Sequence, residues 1–334
     1  MFGSRGARTA LLAALFALGA ALSAAPAVAS PVYNSGPVMA GPNTVYYIWY
    51  GNWGADTAQT ILPGLITNMS GTGYANILTS YDNSSYTLSN QINFGGSYSI
   101  SSSVNSSLFQ GTSLDGTTNT QIQSIVTAAL GAGAFSGSNR ASSIYDVLTA
   151  STISVNGFNS GTPTFCGWHS STSFGTNSLG TQYGFIGDPT SSGCMGQTAS
   201  SPNNNVGADA MASVIAHETF ETITDPTGQA WNDKVSLTSS TTTGGYENGD
   251  MCNFNFGATF AAPNGSQANV TLNGANYLLQ QQWLNQGGGP DYSGGACVTA
   301  LALTAPTTTP EPGSVALLAS ALVGLGLIRR RSAA

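Results

Sequence analysis

From residue 206 to residue 223 the apolar positions of this chain fall three and four apart. Val206, Ala210 and Val214 form one stripe, and His217 and Glu221 continue it. Met211, Ile215, Ala216 and Phe220 occupy most of the remaining sides, so the pattern predicts a helix buried nearly all round, with Asn203, Asn204 and Asn205 as N-cap candidates. Upstream, Val45 to Tyr50 is an aromatic and β-branched run closed by Gly51, which reads as a buried strand. Residues 57–69 read as a helix interrupted by Pro63, residues 120–130 as an amphipathic helix, and residues 75–81, 86–100, 144–153 and 183–186 as strands. This order predicts an α/β (α+β) domain with a mixed sheet. The Gly, Thr, Ser and Asn stretches at 101–119 and 235–245 read as surface loops, and no internal repeat is present.

The two chain ends have a different character. Residues 1–29 carry Arg5 and Arg8, an apolar run and the small-residue stretch Ala27-Val28-Ala29, the pattern of a secretory leader for the Sec export machinery. Residues 30–303 form the expected extracellular domain, and residues 304–309 a Thr and Pro linker. Residues 310–334 begin with Pro310, Glu311 and Pro312, continue with an apolar stretch at 313–328 and close on Arg329, Arg330 and Arg331. That stretch would extend about 24 Å as a helix, slightly short for a bilayer, with the arginines retained on the cytoplasmic side. Between residues 30 and 309 there are thirteen acids and two bases, a net charge of −11, which excludes nucleic-acid binding through a basic footprint.

Charge also changes the reading of the buried helix. Asp209, Glu218, Glu221, Asp225, Asp233, Glu247 and Asp250 lie within 42 residues of one another, and Lys234 is the only base among them. A carboxylate on a buried helix needs a counter-charge or a proton, and a divalent cation would supply the former. His217-Glu218-Thr219-Phe220-Glu221 resembles the zincin helix motif His-Glu-x-x-His with Glu at the second ligand position. The expected metal ligands are therefore His217, Glu221 and, from the downstream Tyr246-Glu247-Asn248-Gly249-Asp250 segment, Glu247. Glu218 would act as general base on a metal-bound water, and Asp250 would orient the ligand histidine. Asp225 lies about 12 Å along the helix axis from His217 and precedes Pro226, so it is read first as a turn residue and only in reserve as a ligand. Zinc is the expected ion, with manganese or calcium as alternatives for so carboxylate-rich a set.

His169, in Phe165-Cys166-Gly167-Trp168-His169, is read as a structural imidazole held in reserve as a ligand. Cys166, Cys194, Cys252 and Cys297 are expected to form two disulfides in an exported chain; three connectivities are possible, and we expect the sequential one. Without a Cys-x-x-Cys pair a thiolate zinc site is not expected, and without a Gly-x-Ser-x-Gly elbow neither is a serine hydrolase.

Four segments resemble the EXORDIUM or phosphate-induced protein 1 family: Asn34 to Val38 leading into Val45 to Tyr50, Phe165 to His169, Tyr183 to Gly187, and Pro202 to Met211. The resemblance implies an extracellular protein of the cell wall or matrix; the plant members have no settled biochemical activity. Those members lack a His-Glu pair where His217 and Glu218 stand, so the metal reading rests on this chain's own residues. The C-terminal segment resembles the PEP-CTERM sorting signal, which implies a bacterial source, an exosortase-type processing enzyme and a transient membrane anchor before release to the cell surface. The expectation is thus an exported metal-dependent hydrolase of zincin-like fold acting on peptides. Its rival is a non-catalytic matrix or exopolysaccharide-associated protein with a structural cation.

Overall fold

The computed structural model describes residues 30–159, 161–233, 246–286 and 294–303. The leader, Lys234, the 235–245 loop, the linker and the C-terminal segment with Pro310 to Pro312 and Arg329 to Arg331 lie outside the described residues. No helix among the described residues is long and apolar enough to cross a membrane.

Five strands form the central sheet in the order β3 (Ile92–Ile100), β2 (Asn43–Tyr50), β5 (Ser143–Thr149), β8 (Gln182–Gly187) and β7 (Gly167–Ser171). The first four run parallel, and β7 is antiparallel at the edge. Side chains alternate between two cores. Along β2, Val45, Tyr47 and Trp49 face the core shared with α1 (Ala58–Met69) and α3 (Val206–Thr224), while Ile48 and Tyr50 face the core closed by α2 (Asn119–Gly131). Helices cover both faces, as a parallel sheet requires, and the expected α/β class with a mixed sheet is what the chain forms. The sequential disulfides Cys166–Cys194 and Cys252–Cys297 both form.

Short ladders complete the molecule. β1 (Val32–Tyr33) pairs with β9 (Trp231–Asn232), β4 (Ser113–Asp115) with β6 (Ser154–Asn156), β10 (Phe260–Ala261) with β11 (Gln267–Ala268), β12 (Val270–Leu272) with β13 (Ala275–Tyr277), and β14 (Gln282–Gln286) with β15 (Gly294–Val298).

Local expectations are corrected: the strand expected at 144–153 ends at Thr149, the loop expected at 101–119 contains β4, and three further differences have a physical reason. Residues 75–81 form a 3₁₀ helix, because the short buried run Ala75 to Leu78 has no period that separates strand from helix; Tyr74 and Tyr81 pin it by donating to the carbonyls of Gln280 (2.6 Å) and Trp283 (2.7 Å). The expected strand at 86–100 begins only at Ile92, after a turn closed by the Asn83–Tyr86 bridge. Pro63 does not interrupt α1: its lost hydrogen bond and ring clash cost about 3 kcal/mol, and burial of Leu62, Leu65, Ile66 and Met69 outweighs that.

α3 is the buried helix the pattern predicts. Asn205 caps it by accepting from the Ala208 amide (3.0 Å), and every residue from Gly207 to Thr224 is buried. Under it, Tyr47, Asp146, Gly184 and His169 stand opposite one another across β2, β5, β8 and β7. A Cβ on Gly184 would lie 2.6 Å from Asp146 Oδ1, so the missing side chain makes room for this carboxyl.

Burial pushes Asp146 up to about 7. Between about pH 4 and pH 7 the folded chain keeps a proton that the unfolded chain has released, so its stability falls as pH rises through that window and levels off above it. Asp146→Asn should remove this dependence. In urea titrations the variant should match the parent near pH 4 and exceed it by up to about 4 kcal/mol at pH 8. A parent–variant difference that is constant with pH would show that the carboxyl is not held in this way.

Candidate functional site

Three segments meet on the wall of a cleft beside α3. The helical period puts His217 and Glu221 one turn apart on one face, with His217 Nε2 3.0 Å from Glu221 Oε1. Strand β7 carries His169, whose Nε2 lies 2.9 Å from Glu247 Oε2 and 3.9 Å from Glu221 Oε2. The third segment, residues 246–252, returns across the helix. Its Asp250 amide donates to Glu221 Oε1 (2.9 Å), and Asp250 Oδ1 stands 3.6 Å from His217 Nε2. Gly249 permits this approach, because a Cβ there would lie 2.7 Å from the His217 ring and 2.9 Å from Glu221 Oε1. The disulfides anchor both visiting segments, Cys166 immediately before β7 and Cys252 at the end of the return.

Gln280 stands behind His217. Its Oε1 accepts from His217 Nδ1 (3.3 Å) and from the Phe254 amide (2.7 Å). Its own backbone is tied to α3 through Ser213 Oγ (3.0 Å) and to Tyr74. An amide oxygen can only accept, so Nδ1 carries a proton and Nε2 is the atom presented to Glu221 and Asp250. This is the orienting role expected of Asp250; Asp250 itself lies on the Nε2 side, among the atoms that could hold an ion. No motif announced Gln280, which lies in a run of three glutamines.

Asp225 ends α3 and makes the expected turn, its carbonyl accepting from the Gly228 amide (3.2 Å). Its carboxylate accepts from the Ala230 amide (2.6 Å) and from Asn232 Nδ2 (2.7 Å). Of the expected ligands, His217 and Glu221 meet directly, whereas Glu247 meets His169. The reserve imidazole is therefore part of the cluster, brought there by the β7–β8 register.

Burial dominates the electrostatics. It pushes Glu218 well above the usual carboxylate range, against the opposing pull of His217, and pushes Glu247 up likewise, reinforced by the Asp225 and Glu221 carboxylates. For His217 burial alone would favour the neutral ring, but Glu221, with Asp250 and Glu218, holds it well above its ordinary value. His169 is lowered by burial, only partly offset by Glu221, Asp225 and Asp250. Asp250 is lowered, the His217 imidazole outweighing its burial. Among the described residues the only Lys or Arg is the exposed Arg140, so protons held by His217, Glu218 and Glu247 offset the negative charge of the cluster.

The cluster forms one wall of a cleft of about 580 Å³ that Phe165, Trp168, Phe174 and Phe254 also line. Phe254 is 40% exposed and holds φ at +52°, a left-handed conformation that costs a bulky residue of order 1–3 kcal/mol. The cleft thus combines convergent polar groups with an apolar rim, the general form of a small-molecule or peptide site.

A family described as "Phosphate-induced protein 1 conserved region" matches residues 32–286, and the chain belongs to that family. Protein EXORDIUM-like 3 of Arabidopsis thaliana is 29% identical to it over 283 residues, which cover 75% of this chain and 79% of the relative. No solved structure matches the chain.

Replacing Gln280 by Leu leaves the His217 and Phe254 donors without an acceptor in a buried setting. We expect a loss of about 1–3 kcal/mol in urea denaturation, with Gln280→Glu, which keeps an acceptor, losing less. A Leu variant as stable as the parent would show that Gln280 does not hold His217.

Proposed function

We propose that the protein is an exported metal-dependent hydrolase acting on peptides. The observation that carries this reading is the meeting of His217 Nε2, Glu221 Oε1 and Asp250 Oδ1, 3.0 and 3.6 Å from the shared nitrogen, on the wall of an aromatic-lined cleft. Those spacings suit three atoms around one ion, since ligands about 2.0–2.2 Å from a cation stand about 3–3.6 Å apart. Buried carboxylates with no Lys or Arg beside them among the described residues fit a divalent cation, with zinc favoured and manganese compatible with the oxygen donors. Such an ion lowers the pKa of water and polarises a carbonyl. Glu218, buried beside the cluster with a raised proton affinity, suits the general base, and Gln280 keeps the His217 lone pair aimed at the ion.

The motif helix packed under a mixed sheet, with an antiparallel edge strand on the cleft, supports the zincin-like reading of the fold. Two disulfides support export to an oxidising compartment. The leader-like residues 1–29 and the PEP-CTERM-like residues 310–334 support Sec-dependent export from a bacterium, a transient membrane anchor and exosortase-type sorting to the surface or matrix.

The predominance of oxygen donors favours a second reading, a matrix or exopolysaccharide-associated protein in which calcium has a structural role. Elemental analysis of the full chain purified without chelator, beside His217→Ala/Glu221→Ala, separates the two. The hydrolase reading expects about one or more equivalents of zinc or manganese, absent from the double variant, and cleavage of a fluorogenic peptide library. Glu218→Gln should retain the metal and lose about 10²–10⁴-fold in kcat/KM. Calcium alone, with no peptide cleaved, would establish the matrix reading instead.

A further inference from the structure

A single ion between His217, Glu221 and Asp250 leaves two members of the cluster unused. His169 and Glu247 face each other at 2.9 Å on the other side of Glu221. The two oxygens of Glu221 point to different imidazoles: Oε1 faces His217 and takes the Asp250 amide, whereas Oε2 turns to His169 Nε2, 3.9 Å away. A Glu218 oxygen lies within 4.8 Å of both the His169 nitrogen and Glu221. Glu247 is only 9% exposed, and its Oε1 is buried without a hydrogen-bond donor.

We propose that the cleft holds two divalent cations bridged by the Glu221 carboxylate, the second held by His169 Nε2 and Glu221 Oε2, with the Glu218 and Glu247 carboxylates beside them as further oxygen donors. The inference rests on the metal reading above and extends it. Charge is the first argument. An ion at the His217 locus is balanced by Glu221 and Asp250, while Glu218 and Glu247 remain buried beside a neutral donor, and a second dication meets both. Shape is the second. One carboxylate offering one oxygen to each of two ions holds them about 3.5–4 Å apart, the separation that lets a pair of ions hold the attacking and leaving oxygens of one displacement. The register is the third, since pairing of His169 with Gly184 places the imidazole on the α3 face of the edge strand, opposite Glu221. Glu218 borders the second locus, its oxygen within 4.8 Å of the His169 nitrogen and of Glu221, where it can also accept a proton.

The test is titration of the full chain, stripped with chelator, with Mn(II) alone, read by calorimetry and by electron paramagnetic resonance. The expected result is two equivalents per chain and an exchange-coupled two-manganese spectrum. His169→Ala and the near-isosteric Glu247→Gln should each bind one equivalent with a mononuclear signal, while Glu221→Ala loses the coupling altogether. One equivalent in the parent, retained in His169→Ala and lost in His217→Ala, overturns the second ion and leaves the single-ion site standing. No binding in the parent overturns both. If neither His169→Ala nor Glu247→Gln folds by circular dichroism, the stoichiometry and coupling of the parent decide the matter alone.

Discussion

Glu221 is a carboxylate on a helix buried on every side, and its burial governs what surrounds it. Desolvating one ionised carboxylate costs several kcal/mol unless partners replace the lost water. Here the partners come from three places: His217 one turn earlier, the Asp250 amide from a returning segment, and His169 from the sheet edge. None of these contacts adjoins the others in the chain. Holding them together is what the fold around α3 accomplishes.

The means are specific. The register of β7 on β8 aims His169 at the helix, and glycine at 184 clears space in the same row for Asp146. Gly249 lets the returning backbone lie against the His217 ring, where any side chain would collide. Disulfides hold Cys166 before β7 and Cys252 after the return, so both visiting segments are tied at the point where they leave the site. Gln280 joins the cluster to the rim, because one oxygen serves both the imidazole that faces Glu221 and the strained backbone of Phe254.

Membership in the phosphate-induced protein 1 family describes the scaffold over residues 32–286. Chemistry must be argued from the site, since one scaffold can carry many activities. The arrangement most in need of explanation is the concentration of carboxylates around two imidazoles at the wall of an open cleft, with the described bases reduced to one exposed arginine. As they stand, protons hold that charge in check. Divalent cations would do so while also giving the cleft a reaction to perform.

The residues alone determined the helix and its contents, because an apolar stripe at helical spacing that admits His217 and Glu221 can only be buried with them inside. They also determined the α/β class, from the run at Val45 to Tyr50 and the helical patterns around it, and the turn at Asp225, from the proline that follows it. The 3₁₀ segment at 75–81 and the continuity of α1 through Pro63 were not readable, since both depend on packing energy from distant residues. The same holds within the site. His169, Gln280 and Gly249 lie 48 residues before, 63 residues after and 32 residues after His217 in the chain, and local pattern carries no information about such distances. Strand register, a close backbone approach and two cross-links decided which of the acids met which histidine. Those are properties of the folded chain, set by packing and cross-linking between segments that sequence spacing does not relate.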